Sequence, residues 1–368
     1  MAAVVIALAE AKQPWFWEIT GGVAAVLVVL NVAALVAVHA RRVRQSLRGR
    51  RERAFRARIE EALAELDATS ATRDPEWLGA QIRRFDELQR PIAATMLIER
   101  IEPASEVERA HALEVLRQAG AIDALVRSTG RRMPWRRALA IRTLGWIGAD
   151  EAVLVLMDKV SDRSRSVRET AVRALARIGD ARAVPLLAGL FRAPGTVGGG
   201  VVYDALVSFG PTVAPVFSGA LQSGIESVRV ASCFGVAAVS PPEDARRVLE
   251  PLLADATAPV RAAAAESLGQ VGGGQVPEGL VRASRDEQAA VRSAAVGALG
   301  FFDDPSSVEL ASNALLDPDR DTAVRAGEAL VRLSRRPVAG PVATEALRRA
   351  KTAWPVERAL TFASLGAV

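Results

Sequence analysis

The sequence predicts an all-α solenoid of paired helices, preceded by a single transmembrane helix. Three observations predict it. A phrase built on Val-Arg recurs at a near-fixed step: Ser-Val-Arg-Glu-Thr-Ala at 166–171, Ser-Val-Arg-Val-Ala at 227–231, Pro-Val-Arg-Ala-Ala at 259–263, Ala-Val-Arg-Ser-Ala at 290–294 and Ala-Val-Arg-Ala at 323–326. Alanine is abundant and the chain has only one Tyr, a composition suited to closely packed helices rather than sheets. Residues 21–40 read GGVAAVLVVLNVAALVAVHA, without Asp, Glu, Lys or Arg.

The repeat arginines are Arg168, Arg229, Arg261, Arg292 and Arg325, with weaker copies at Arg109 and Arg137. Counting a degenerate unit at Gly199, successive steps are 28, 31, 31, 30, 32, 31 and 33 residues. That period is one helical hairpin, which buries its apolar face only by stacking on its neighbours. The organisation expected is an N-terminal segment over 1–19, a transmembrane helix over 20–40, a basic juxtamembrane helix and linker over 41–73, the repeat array over 74–340 and a C-terminal cap over 341–368. Asp74-Pro75 reads as a helix start, with Trp77, Ile82 and Phe85 buried behind it. Trp354-Pro355 opens the last helix.

Twenty apolar residues at about 1.5 Å each span the roughly 30 Å hydrocarbon layer. Trp15 and Trp17 precede the span, where indole rings favour the interface. Nine arginines follow within 41–58, among them Arg41, Arg42, Arg44, Arg48, Arg50 and Arg51, against one acid, Glu52. They fix topology with the N-terminus outside and the repeats cytoplasmic, and offer contacts to anionic membrane lipids. A cleaved signal peptide is the competing reading; Lys12 against two acids makes a poor n-region. Asn31, near the middle of the span, is a candidate contact to another transmembrane helix.

The net charge of +5 is located almost wholly in that arginine segment. Residues 59–368 carry 37 basic and 39 acidic residues, the wrong balance for a nucleic-acid-binding array. The single cysteine, Cys233, excludes a disulfide framework or cysteine zinc site and reads as a small buried filler. The two histidines, His39 and His111, leave little for a catalytic triad. The glycine run at 198–200 lacks a following Lys-Ser or Lys-Thr and does not match a phosphate-binding loop.

An acid precedes most Val-Arg pairs: Asp162 before Arg168, Asp255 before Arg261, Asp286 before Arg292, Asp319 before Arg325. Each second helix then runs Ala-x-x-Ala-Leu toward a small residue, as at Ala171, Ala174, Leu175 and Gly179. On these residues the region 92–335 resembles HEAT repeats, in particular the short HEAT-like class of phycobilisome lyases. The resemblance implies a right-handed α-solenoid in which these Asp and Arg residues form a structural ladder between neighbouring repeats. It implies fold only. The paired His-Glu motif with which some HEAT-like enzymes hold iron is absent, since Ala112 follows His111. The ladder lapses where Ala193, Gly198, Gly199 and Ser223 stand at its Asp and Arg positions, a junction expected to bend the superhelix or open a pocket.

The function expected is therefore non-catalytic, with no cofactor, metal or nucleic acid. A bacterial inner-membrane scaffold would hold a protein partner on its concave face, or serve a membrane-embedded enzyme such as a glycosyltransferase. The alternative is a lyase-like HEAT protein that acts on or chaperones a hydrophobic cofactor.

Overall fold

The computed structural model describes residues 116–350 continuously, with isolated positions between 57 and 114. Outside the described residues lie the span 20–40 with Asn31, Trp15 and Trp17, the arginines 41–51, His39, Asp74, Trp77, Arg109, His111 and the segment 351–368. The chain divides into two compact units, Met1–Val115 and Leu116–Val368. In the first, Ile82 and Phe85 are buried. No helix among the described residues is long and apolar enough to cross a membrane.

The second unit is helical throughout its described residues. Short and long helices alternate: α1 (Ala121–Ser128), α2 (Pro134–Ile147), α3 (Val153–Lys159), α4 (Arg165–Ile178), α5 (Val184–Arg192), α6 (Gly199–Val207), α7 (Ala214–Ala220) and α8 (Glu226–Val239). They continue as α9 (Pro242–Leu249), α10 (Ala258–Val271), α11 (Glu278–Ala283), α12 (Ala289–Leu299), α13 (Pro305–Ala314), α14 (Arg320–Leu333) and α15 (Gly340–Ala350). Each odd helix pairs with the even helix after it, and successive even helices stack side by side into one continuous layer. This is an α-solenoid of helical hairpins, and α15 closes its described end against α13 and α14.

Local chemistry sets the boundaries. Proline stands in the first turn of α2, α5, α7, α9, α10 and α13, where its missing N–H costs nothing. Gly148 and Gly179 end α2 and α4 with φ of 72° and 74°, a left-handed conformation that side chains resist.

The core repeats with the sequence. Leu144, Leu175, Leu206, Leu268, Leu299 and Leu330 stand at multiples of 31 residues, and all are fully buried. Val167, Val260 and Val291, just ahead of the repeat arginines, are equally buried. Small residues let the even helices touch. A Cβ on Gly145 of α2 would fall 2.5 Å from the Cβ of Ala174 on α4; one on Gly269 of α10 would fall 2.9 Å from Ala298 on α12. The stacked layer therefore has no room for a larger side chain there.

Gly145→Val is expected to wedge α2 from α4 and destabilise the unit by about 1–3 kcal/mol. Gly189→Ala, in α5 with open space around the added methyl, is expected to stabilise it by about 0.5–1 kcal/mol. Thermal and urea melts of the two variants check the contrast; equal destabilisation would contradict the close-packed layer.

Candidate functional site at the break in the arginine ladder

The turns entering α4, α10, α12 and α14 each carry a carboxylate, and a repeat arginine from the preceding even helix reaches into each of them. Arg137 donates through Nε and Nη2 to Asp162 at 2.9 and 2.6 Å. Arg229 does the same to Asp255 at 3.1 and 3.1 Å, Arg261 to Asp286 at 2.8 and 3.0 Å, and Arg292 to Asp317 at 2.8 and 2.9 Å. The third guanidinium nitrogen turns back to the carbonyl six residues earlier: Arg131 for Arg137, Ser223 for Arg229, Asp255 for Arg261 and Asp286 for Arg292. Each aspartate also accepts from the backbone N–H two residues on, at Ser164, Thr257, Gln288 and Asp319. The fork-to-fork geometry thus ties turn to turn, and the paired side chains keep only 10–17% of their exposure.

The structure departs from the expected ladder at three places. Asp319 takes no part: it caps α14, accepting from the Thr322 N–H at 2.8 Å, and Asp317 holds the ladder position. The 33-residue step from Arg292 to Arg325 puts two extra residues into this turn, so the acid lies eight residues before the arginine instead of six. Arg325 is exposed, lies along Gly297, and makes no ion pair among the described residues. Arg168 has no carboxylate because Ala193 stands where its partner would be. It donates instead to the carbonyls of Thr196 at 2.7 Å and Asp162 at 2.9 Å. The ladder aspartates do not cap the helices that follow; they brace the turn ahead of the helix.

A second row of bonds runs along the other set of turns, those entering the odd helices. Arg117 clamps Glu151 at 2.8 and 3.0 Å and Asp150 at 3.1 Å, and the Arg117 bond holds the Glu151 carboxyl at about 2. Asp304 accepts from Ser306 and, one repeat back, from Val276. Asp303 accepts from Val338 and Ala339. The only sequence signal was Gly-x-Asp or Gly-Asp after an even helix, at 148–150 and 179–180, and the Val-Arg period overshadowed it.

The ladder's interruption coincides with an open groove of about 610 Å³ across α6, α8 and α10. Gly199 and Gly200, at the start of α6, remove side chains from one wall; Tyr203, Val230 and Phe234 supply apolar surface, and Pro259 closes the far side. Glu226, in the first turn of α8, is the one charged residue of the lining. Behind the lining, Phe217 is fully buried, edge-on to Phe191 at 5.2 Å and tilted against Tyr203 at 5.7 Å. Burial, and then the Asp204 carboxylate, raises the Tyr203 phenol above its usual range. α6 packs less extensively on α4 and α8 than the other even helices pack on their neighbours.

Beside the groove, Cys233 is fully buried, and burial pushes its thiol up to about 12, with the Asp255 carboxylate acting in the same direction. It is a packing residue, not a nucleophile. Among the described residues no group of three or more His, Cys, Asp or Glu is placed to hold a metal ion.

The family of HEAT repeats matches residues 122–197, from α1 to the turn where the ladder breaks. Three solved structures are similar. The complex of CpcE and CpcF of phycocyanin lyase from a Nostoc species is 21% identical over 75% of this chain and 94% of that chain, with a TM-score of 0.28. YibA of Escherichia coli is 18% identical over 66% and 90%, with a TM-score of 0.39. Human deoxyhypusine hydroxylase, in complex with glycerol, is 19% identical over 81% and 97%, with a TM-score of 0.27. No curated protein matches the chain. At these values the likenesses concern helical-repeat architecture and carry neither activity nor partner.

The ladder sets a pH dependence. Arg261 and Arg292 hold the Asp286 and Asp317 carboxyls below the usual carboxylate range. A depressed pKa contributes stability above the unfolded value of about 3.9, lost as pH falls through the folded value. Stability is therefore expected to fall below about pH 4, and Asp286→Asn to lower neutral-pH stability while making the acid limb shallower, as read by melts from pH 7 to 2. Arg261→Ala is expected to cost about 2–4 kcal/mol, and Arg325→Ala within about 0.5 kcal/mol of nothing. Equal costs would contradict the assignment of Arg325 outside the ladder.

Proposed function

We propose that the chain is a non-catalytic scaffold, tethered to the membrane by 20–40, that holds a protein partner on its even-helix face. The groove at the ladder break carries this reading. An apolar surface formed by Tyr203, Val230 and Phe234 is exposed there, and helix-stacked arrays present such faces to partner segments. The match to HEAT repeats supports the same class. The uncharged stretch 21–40 and the arginines after it support the tether, with the N-terminus outside and the repeats cytoplasmic. Arg41, Arg42, Arg44, Arg48, Arg50 and Arg51 would then lie against lipid headgroups, and a membrane-embedded enzyme is one class of partner within reach.

A second reading rests on the same groove: its rings and volume also suit a flat hydrophobic cofactor, as a lyase-like protein would require. Purified full-length protein separates the two. A visible absorption band that persists through purification favours cofactor handling; a colourless protein that captures a polypeptide favours the scaffold.

A photo-crosslinking residue at Val230 is expected to give a discrete adduct with a membrane-fraction protein, and one at Leu154, exposed on α3, to give none. Gly200→Trp, which fills the groove where an added side chain meets nothing within 4 Å, is expected to remove the adduct with an unchanged melting temperature. Adducts indifferent to both positions would contradict the site. Release of the chain by alkaline carbonate would contradict the tether.

A further inference from the structure

We propose that the turn Arg131–Trp135, together with Arg163 in the turn beside it, is a second membrane contact that lays the start of the array against an anionic lipid surface. The proposal rests on the reading that the chain is membrane-tethered, since a tether keeps the whole chain near a bilayer. Met133 and Trp135 are 47% and 54% exposed at the end of the turn, an unusual pair in an array whose large apolar side chains are mostly covered. Arg131, Arg132 and Arg163 are exposed around them, and none has an ion-pair partner among the described residues.

Ladder bonds fix the two turns side by side. The Arg137 guanidinium accepts no freedom of its own: it donates to the carbonyls of Arg131 at 2.9 Å and Arg132 at 3.1 Å, and to the Asp162 carboxylate next to Arg163. The backbone of Arg163 is held in turn by Arg168 at 3.3 Å. Arg136 stacks on the Trp135 ring at 5.1 Å, adding a cation at the indole face. The cluster is therefore a braced pair of turns that expose Met133 and Trp135 together with the side chains of Arg131, Arg132 and Arg163.

That chemistry fits a headgroup layer. Trp favours the membrane interface, Met gains from the acyl boundary, and each arginine adds attraction to anionic lipid. A nucleic acid would use the indole but has no apolar layer for the Met133 thioether.

The test uses the full chain in lipid nanodiscs, with an environment-sensitive dye on Met133→Cys. Cys233 is fully buried and stays unlabelled. In discs containing phosphatidylglycerol the emission is expected to shift to the blue and to be quenched by brominated lipid. In phosphatidylcholine discs it is not, and a dye on Leu154→Cys should respond in neither. Reversing Arg131, Arg132 and Arg163 to Glu is expected to lower the docked-to-free ratio by more than about 100-fold, since the loss of each arginine alone is worth about fivefold, with the melting temperature kept. A dye at 133 that stays aqueous while the chain resists carbonate overturns the contact and leaves the tether. If the chain does not insert, yet the dye responds to added phosphatidylglycerol vesicles and the reversal abolishes it, the contact stands and the tether falls. An equal response to RNA without lipid overturns the proposal.

Discussion

The bidentate bond from Arg137, Arg229, Arg261 and Arg292 to the aspartate one turn along is the interaction on which the rest of the unit depends. Helix stacking by small residues is weakly directional, because alanine and glycine surfaces slide. A planar guanidinium held by two carboxylate oxygens, and braced by a carbonyl six residues back, permits one register. The cost of removing these charges from water is offset because nearly every donor and acceptor is used. Leucines at multiples of 31 residues then fall into one continuous core, and glycine faces alanine where the even helices touch.

In a linear array, a missing junction has local consequences. Arg168 without a carboxylate spends its donors on the carbonyl of Thr196, which holds the turn 193–198 but ties it to nothing beyond. Gly199 supplies no arginine for the following turn, so two successive links are absent around α6. The buried leucine register still runs through this region, at Leu206, and Phe217 with Phe191 keeps the core behind it packed. The outcome is a groove on a sound core rather than a fracture. Such a feature exposes apolar surface without sacrificing stability, the property expected of a recognition site.

Much of this was legible in the residues. The Val-Arg step gave the hairpin period, and the Ala-x-x-Ala-Leu run gave the buried face of the even helices. The loss of Asp and Arg at 193 and 199 marked the junction where the groove lies. The ladder's end was misread because six-residue spacing favoured Asp319, whereas two inserted residues shift the acid that pairs with Arg292 to Asp317; Arg325, whose partner would stand 25 residues on, meets Ala350 there and has no ion pair among the described residues. The row through Asp303 and Asp304 was missed because its donors are backbone N–H groups, which leave no mark in sequence, and the Arg117 clamp on Asp150 and Glu151 lies outside the Val-Arg period. Met133 and Trp135 sit in a turn whose exposure depends on how Arg137 folds it back, which no local pattern reveals.

The most direct measurement is to complete the ladder. Ala193→Asp, Gly199→Arg and Ser223→Asp together restore a donor or acceptor at each missing position. If interrupted pairing creates the groove, the triple variant should melt higher by several degrees, as about 1–2 kcal/mol of new pairing would give, and a photo-crosslinker at Val230 should lose its protein adduct. An unchanged or lower melting temperature, with the adduct retained, would contradict the account.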